Sequence, residues 1–231
     1  MAGVGLFSVS IANAATLNVG GNYGHLDVIF NGTEENAGTG SIAPSTLDGR
    51  TLPFLYCLDL EHNIGVPGTY SSTVSTNGTI WDASYGPVNL NASVLSGNKN
   101  SGPVQLSLTQ AGQIAYLLDH YGYTATTMDQ QEALQGAIWK EIYGNAITLG
   151  PSADANQIAD YNAYLTNVGI DPVSNMLWIS PTDSGGTYQQ AQITTAVPEP
   201  GAVTLFASFG VAGFGLLARK KRASHRAAAN H

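Results

Sequence analysis

The stretch "TMDQQEALQGAIWKEIYG", Thr127 to Gly144, decides how the rest of the chain is read. Thr127 and Gln130 have the spacing of a capping box, Asp129 puts an acid in the first turn, and Gly144 supplies a stop. Between those ends Gln131, Leu134, Gln135, Ile138, Trp139 and Ile142 fall on one helical face. A helix of this quality stands out because most of its surroundings punctuate as strands. It also carries Gln135 on an apolar face. A carboxamide there is costly unless its hydrogen-bonding groups are satisfied or chemically consumed.

On either side lie two further helical patterns. "LTQAGQIAYLLDHYG" places Ile114, Leu117, Leu118 and Tyr121 at helical spacing before Gly122. "SADANQIADYNAYLTNVG" reads as a third helix capped by Ser152, with Ile158, Tyr161 and Leu165 inward. From Ala15 to about Pro103 the pattern is short apolar or alternating runs separated by turn dipeptides. "HLDVIF" ends at Asn31-Gly32, "LPFLYCLDL" follows Asp48-Gly49, and "YSSTVST" ends at Asn77-Gly78. Strand patterns return from Val173 in "VSNMLWIS" and "YQQAQITTAV". The fold class is β-rich α+β, with helices interrupting a β unit. The β segments are 15–103 and 171–196, the helical insertion is 104–170, and Val94 to Val104 is the best candidate boundary within 15–196.

The two ends read as addresses. Val4 to Ile11 is apolar and is followed by Ala12-Asn13-Ala14, so residues 1–14 read as a signal peptide that begins upstream of Met1. Signal peptidase would cut between Ala14 and Ala15. At the other end Val197-Pro198-Glu199-Pro200 precedes an apolar run, 201–218, and the basic cluster Arg219-Lys220-Lys221-Arg222. Eighteen helical residues rise about 27 Å, close to a bilayer's hydrocarbon thickness, with the basic residues on the cytoplasmic side. The order of parts over 197–222 resembles the PEP-CTERM sorting tail of Gram-negative bacteria, leaving 223–231 as a cytoplasmic end. That resemblance implies a transient inner-membrane span, processing by an exosortase, and a destination on the cell surface or in the extracellular matrix.

Composition agrees with export. The chain has 16 acidic and 8 basic residues, and between Ala15 and Pro200 only Arg50, Lys99 and Lys140 are basic, a balance of −13. Nucleic acid is excluded as a partner, since no basic surface exists to displace counterions from phosphate. There is no phosphate-binding glycine loop and no metal-ligand cluster, so no cofactor or metal is expected. Asp59 and Glu61 alternate along a strand and suit a solvated face better than a calcium site. Asn31, Asn77 and Asn91 open sequon-like triplets that read better as turns.

Cys57 is the chain's single cysteine. On residue type alone it is a small buried hydrophobe or half of an intermolecular disulfide. Taken together, "YCLD" at Tyr56 to Asp59, "IAYLLDHYG" at Ile114 to Gly122 and "QGAIW" at Gln135 to Trp139 resemble, in that order, the signatures of bacterial surface thioester domains. The resemblance covers about Phe54 to Tyr143. It implies a β-sandwich or barrel with an inserted helical subdomain of about three helices. It also implies an internal thioester joining Cys57 to Gln135, with Tyr56, Asp59, Ile138 and Trp139 supporting it. Gln110, in Thr109-Gln110-Ala111, is a rival acyl donor. His62 and His120 are candidate bases. The implied activity is single-use covalent attachment to a nucleophile, an amine on a surface protein or matrix polysaccharide, and not turnover. Two other classes fit the same residues: a structural matrix protein with an inert Cys57, and a glycan-binding module using some of the 11 Tyr and 3 Trp.

Overall fold

A computed structural model gives the architecture of residues 13–60, 62–82, 86–89, 93–98 and 102–196. The apolar N-terminal run before Asn13, Glu61, Asn91 and the whole tail from Val197 lie outside the described residues. So the expectations of a leader, a membrane-crossing tail and a basic sorting cluster are not addressed by the fold. No helix among the described residues is long and apolar enough to cross a membrane.

The chain opens with strands β1 (Asn13–Val19), β2 (Asn22–Phe30), β3 (Thr33–Ala43), β4 (Thr46–Leu47), β5 (Arg50–Thr51), β6 (Tyr56–Cys57) and β7 (Gly68–Ser75). Two hairpins follow, β8 (Thr79–Asp82) with β9 (Gly86–Asn89), and β10 (Ser93–Asn98) with β11 (Gly102–Leu106). The second hairpin occupies the stretch expected to be a boundary. Helices α1 (Leu108–Tyr121) and α2 (Met128–Tyr143) come next, then β12 (Ile147–Leu149), α3 (Ala155–Leu165), β13 (Met176–Thr182) and β14 (Gln192–Thr195). This is a β-rich α+β fold. A curled seven-stranded antiparallel sheet runs β5-β4-β1-β7-β13-β14-β6, and a second sheet runs β12-β2-β3.

Local chemistry explains most of the boundaries. Asn31 and Gly32 both have positive φ (52° and 81°), the pairing that a tight β2–β3 turn demands. Asp48 and Gly49 do the same between β4 and β5. Each helix starts with a reciprocal capping box: Ser107 with Gln110, Thr127 with Gln130, Asp154 with Gln157. The third cap corrects the expected one at Ser152. Ile158, expected inside, is exposed, while Gln157 and Tyr164 are buried. The helical insertion is not purely helical either, because β12 pairs with β2 as Ile147↔Phe30 and Leu149↔Val28. Asn13, Ala14 and Ala15 all pair with β7, so the expected cleavage site falls inside β1.

Helix α2 sits at the centre. Every residue from Glu132 to Trp139 is buried, not one face alone, since α2 meets β2 and β3 as well as α1 and α3. Gly136 lets the helix approach closely: a Cβ there would meet Leu26 Cδ2 at 2.8 Å and Tyr161 at 3.3 Å. Burying side chains such as Leu134, Ile138 and Ile142 contributes about 1.5–3 kcal/mol each. That central helix brings Gln135 to the edge strand β6.

Candidate functional site

Strand β6 is only two residues long and lies at the end of the seven-stranded sheet, where the sequence pattern suggests a longer strand. Its partner is β14, in the register Tyr56↔Ile193 and Cys57↔Gln192. Leu58 N–H donates to Ala191 O at 2.8 Å, which places the ladder bonds on the flanking pairs. Cys57 and Gln192 are therefore a non-hydrogen-bonded pair, the kind whose side chains stand closest, with Cα atoms about 4.5 Å apart.

Antiparallel alternation turns the Cys57 backbone away from β14, toward the open edge. Gln135 completes it there. Cys57 N–H donates to Gln135 Oε1 at 2.8 Å, and Gln135 Nε2 donates to Cys57 O at 2.7 Å. The carboxamide thus imitates a neighbouring strand for one residue. This satisfies both the inward-facing glutamine and the orphaned edge. Gln135 is fully buried, and its side chain meets Cys57 at the backbone of that residue.

The thiol faces other side chains. Cys57 Sγ lies 3.0 Å from Gln190 Oε1, and Gln192 places Nε2 at 3.6 Å and Oε1 at 3.7 Å from the same sulfur. Gln190 Nε2 donates to Asp59 O at 2.6 Å, which fixes the carboxamide with its oxygen toward the sulfur. Asp59 is buried and braces the segment from the other side. Its carboxylate accepts from His62 N–H at 2.7 Å and from Ala191 N–H at 3.2 Å. The resemblance assigns Gln135 as the acyl donor, and the carboxamide atom that comes nearest the sulfur in a hydrogen bond is Gln190 Oε1. Gln135 spends both amide groups on the Cys57 backbone, while Gln190 and Gln192 both present carboxamides to the sulfur, Gln190 the nearer. The rival Gln110 is occupied elsewhere, in the α1 capping box and in a 2.9 Å bond from its Nε2 to Glu141 O.

Burial pushes the Cys57 thiol up to about 12. Burial is the main cause, the Asp59 charge adds to it, and the hydrogen bond from Gln192 opposes it. Tyr56 is fully buried, its hydroxyl has no hydrogen-bond partner among the described residues, and burial raises its pKa as well. Ile138 and Trp139 are fully buried in the shared core, with Trp139 Nε1 unpartnered among the described residues. Neither expected histidine touches the sulfur. His62 Nδ1 lies 3.3 Å from Asp59 Oδ1, and the His120 ring stacks on Tyr116 at 3.9 Å beside Asp171.

A cavity of about 240 Å³ reaches the site, with Cys57 and Gln190 in its lining. Tyr23, His25, Thr39 and Ile64 also line it. Thr39 Oγ1 is buried without a hydrogen-bond partner among the described residues. His25 is exposed, with its ring edge-on to Tyr23 at 5.3 Å. Its backbone N–H donates to Glu132 Oε1 at 2.9 Å, which anchors β2 to α2. Among the described residues, no cluster of His, Cys, Asp or Glu could hold a metal ion. Compared with known protein families, curated proteins and solved structures, the chain has no match.

Proposed function

We propose that this chain is an exported surface or matrix protein that forms an internal thioester between Cys57 and Gln190 and then acylates an amine on a partner surface. One observation carries the reading: the only sulfhydryl lies 3.0 Å from the acyl oxygen of a buried, immobilised glutamine. In the first step the sulfur attacks Gln190 Cδ, the C–N bond breaks, and the thiol proton leaves with ammonia. In the second an amine attacks the same carbon, the C–S bond breaks, and Cys57 recovers its proton as a new amide forms. Burial keeps water from the intermediate, and the cavity gives a nucleophile a way in. His25 is the imidazole in the cavity lining, so it is the base for the second step, in place of His62 or His120. Gln135 keeps the sulfur in position and is not consumed. The sorting-tail resemblance at Val197 to Arg222 supplies the export half of the reading.

Mapping amine uptake tests this assignment. Incubation of the purified protein with methylamine should place the label on Gln190, leave Gln135 unlabelled, and free Cys57 for alkylation. A label on Gln135 would restore the pairing suggested by resemblance. Absence of any uptake would favour a second reading, a structural matrix protein with an inert cysteine. The 3 % exposure of Cys57 and its raised pKa are the observations on that side.

A further inference from the structure

Gln192 has no obvious reason to be a glutamine. It is fully buried in β14, between Ala191 and Ile193, where an aliphatic side chain would pack without desolvating an amide. Its carboxamide bonds only Cys57 and Gln190 among the described residues. Nε2 reaches Gln190 O at 3.2 Å, Gln190 Oε1 at 3.4 Å and Cys57 Sγ at 3.6 Å. The carboxamide therefore sits against the Gln190 backbone carbonyl and against both groups that react, from the strand position directly across from Cys57.

The rest of the cluster leaves one role unfilled. Asp59 O holds the Gln190 amide nitrogen, the departing side of the acyl group. Gln135 holds the Cys57 backbone. The acyl oxygen, where negative charge collects when either sulfur or amine adds to the carbon, meets two groups: the thiol, which gives up its proton, and Gln192 Nε2. An uncharged N–H fixed beside that oxygen in a dry site stabilises the charge as it develops and needs no reorganisation.

We propose that Gln192 is a catalytic residue of both acyl steps, its side-chain amide donating a hydrogen bond to the Gln190 acyl oxygen as the tetrahedral adduct forms and collapses. The assignment rests on the Cys57–Gln190 reading above. It adds a donor that the chemistry does not consume: Gln192 gains and loses no atoms, while sulfur or nitrogen bonds to Gln190 Cδ and ammonia or the thiol departs.

The test uses the full chain made by cell-free synthesis, followed by intact mass over time and then by methylamine uptake of the matured protein. Gln192→Met keeps length and removes the donor. Both ammonia loss and methylamine uptake should slow by about a hundredfold. Thermal unfolding of Cys57→Ala with and without Gln192→Met measures any structural contribution separately. Gln192→Glu adds a readout that packing alone does not move, because a carboxyl donates only when protonated. Its rate relative to the parent should climb as pH falls from 8 to 5. Ammonia loss and amine uptake within threefold of the parent in Gln192→Met, or a Gln192→Glu ratio near one at every pH, overturns the role of Gln192. A parent protein that never loses ammonia instead defeats the thioester reading itself, so the two failures are told apart.

Discussion

Replacing Gln135 by methionine in a Cys57→Ala background isolates what the carboxamide does for the backbone, since no thioester can form. Methionine matches the length of glutamine and fills most of its volume, so the change removes two hydrogen bonds and little packing. Both bonds are short, 2.8 Å and 2.7 Å, and both serve the residue-57 backbone at a sheet edge sealed from water. A buried N–H and a buried C=O then lose their partners at about 1–3 kcal/mol each, giving roughly 2–6 kcal/mol of destabilisation. For a domain of this size that is a fall in Tm of about 5–20 °C. Urea unfolding followed by tryptophan fluorescence gives the free energy, with the m-value checking that the unfolded state is unchanged. A midpoint shift worth less than about 0.5 kcal/mol would refute the idea that Gln135 stands in for a strand.

Other expectations follow from the same geometry. Gln190→Met leaves Cys57 as a thiol, and its alkylation by iodoacetamide should rise about tenfold per pH unit toward about 12, with no plateau at pH 8 or 9. The folded thiol holds its proton more tightly than the unfolded one, so its contribution to stability is complete below about pH 9 and is lost as pH rises toward about 12. Gln190→Met should therefore lose stability over that window more steeply than Gln190→Met with Cys57→Ala; parallel curves would contradict it. His25→Gln should leave ammonia loss intact while slowing methylamine uptake at pH 7 by about 10²-fold or more, and unchanged uptake would remove His25 as the base. Gly136→Ala should destabilise by about 1–3 kcal/mol, because the added methyl meets Leu26 and Tyr161 at once; a neutral result would show that α2 has room to shift.

Much of the frame was legible in the residues. The Asn31-Gly32 and Asp48-Gly49 turns and the capping box of α2 follow from local chemistry, and the fold keeps each of them. The third helix begins two residues later than its sequence suggests, and it buries the face of Gln157 and Tyr164, leaving Ile158 outside. The cluster around Cys57 was harder. An inward Gln135 was visible from helical spacing, but its use was not. Whether a buried carboxamide meets a sulfur or a backbone depends on which way a two-residue strand turns its peptide groups. Gln190 and Gln192 were hidden for another reason. They alternate with Ala191 and Ile193 like the solvent face of an ordinary strand, yet 190–195 is buried on both faces. The available signal was the period-two pairing of two glutamines about 135 positions after the cysteine, on a strand with almost no charge.

Whether sulfur and carboxamide actually join is decided most directly by the intact mass of the freshly purified mature protein beside its Cys57→Ala variant. The parent should be lighter than its sequence mass by one ammonia, the variant should show none of that deficit, and a cross-linked peptide should contain both Cys57 and Gln190. Full sequence mass, together with quantitative alkylation of Cys57 in native protein, would contradict the account.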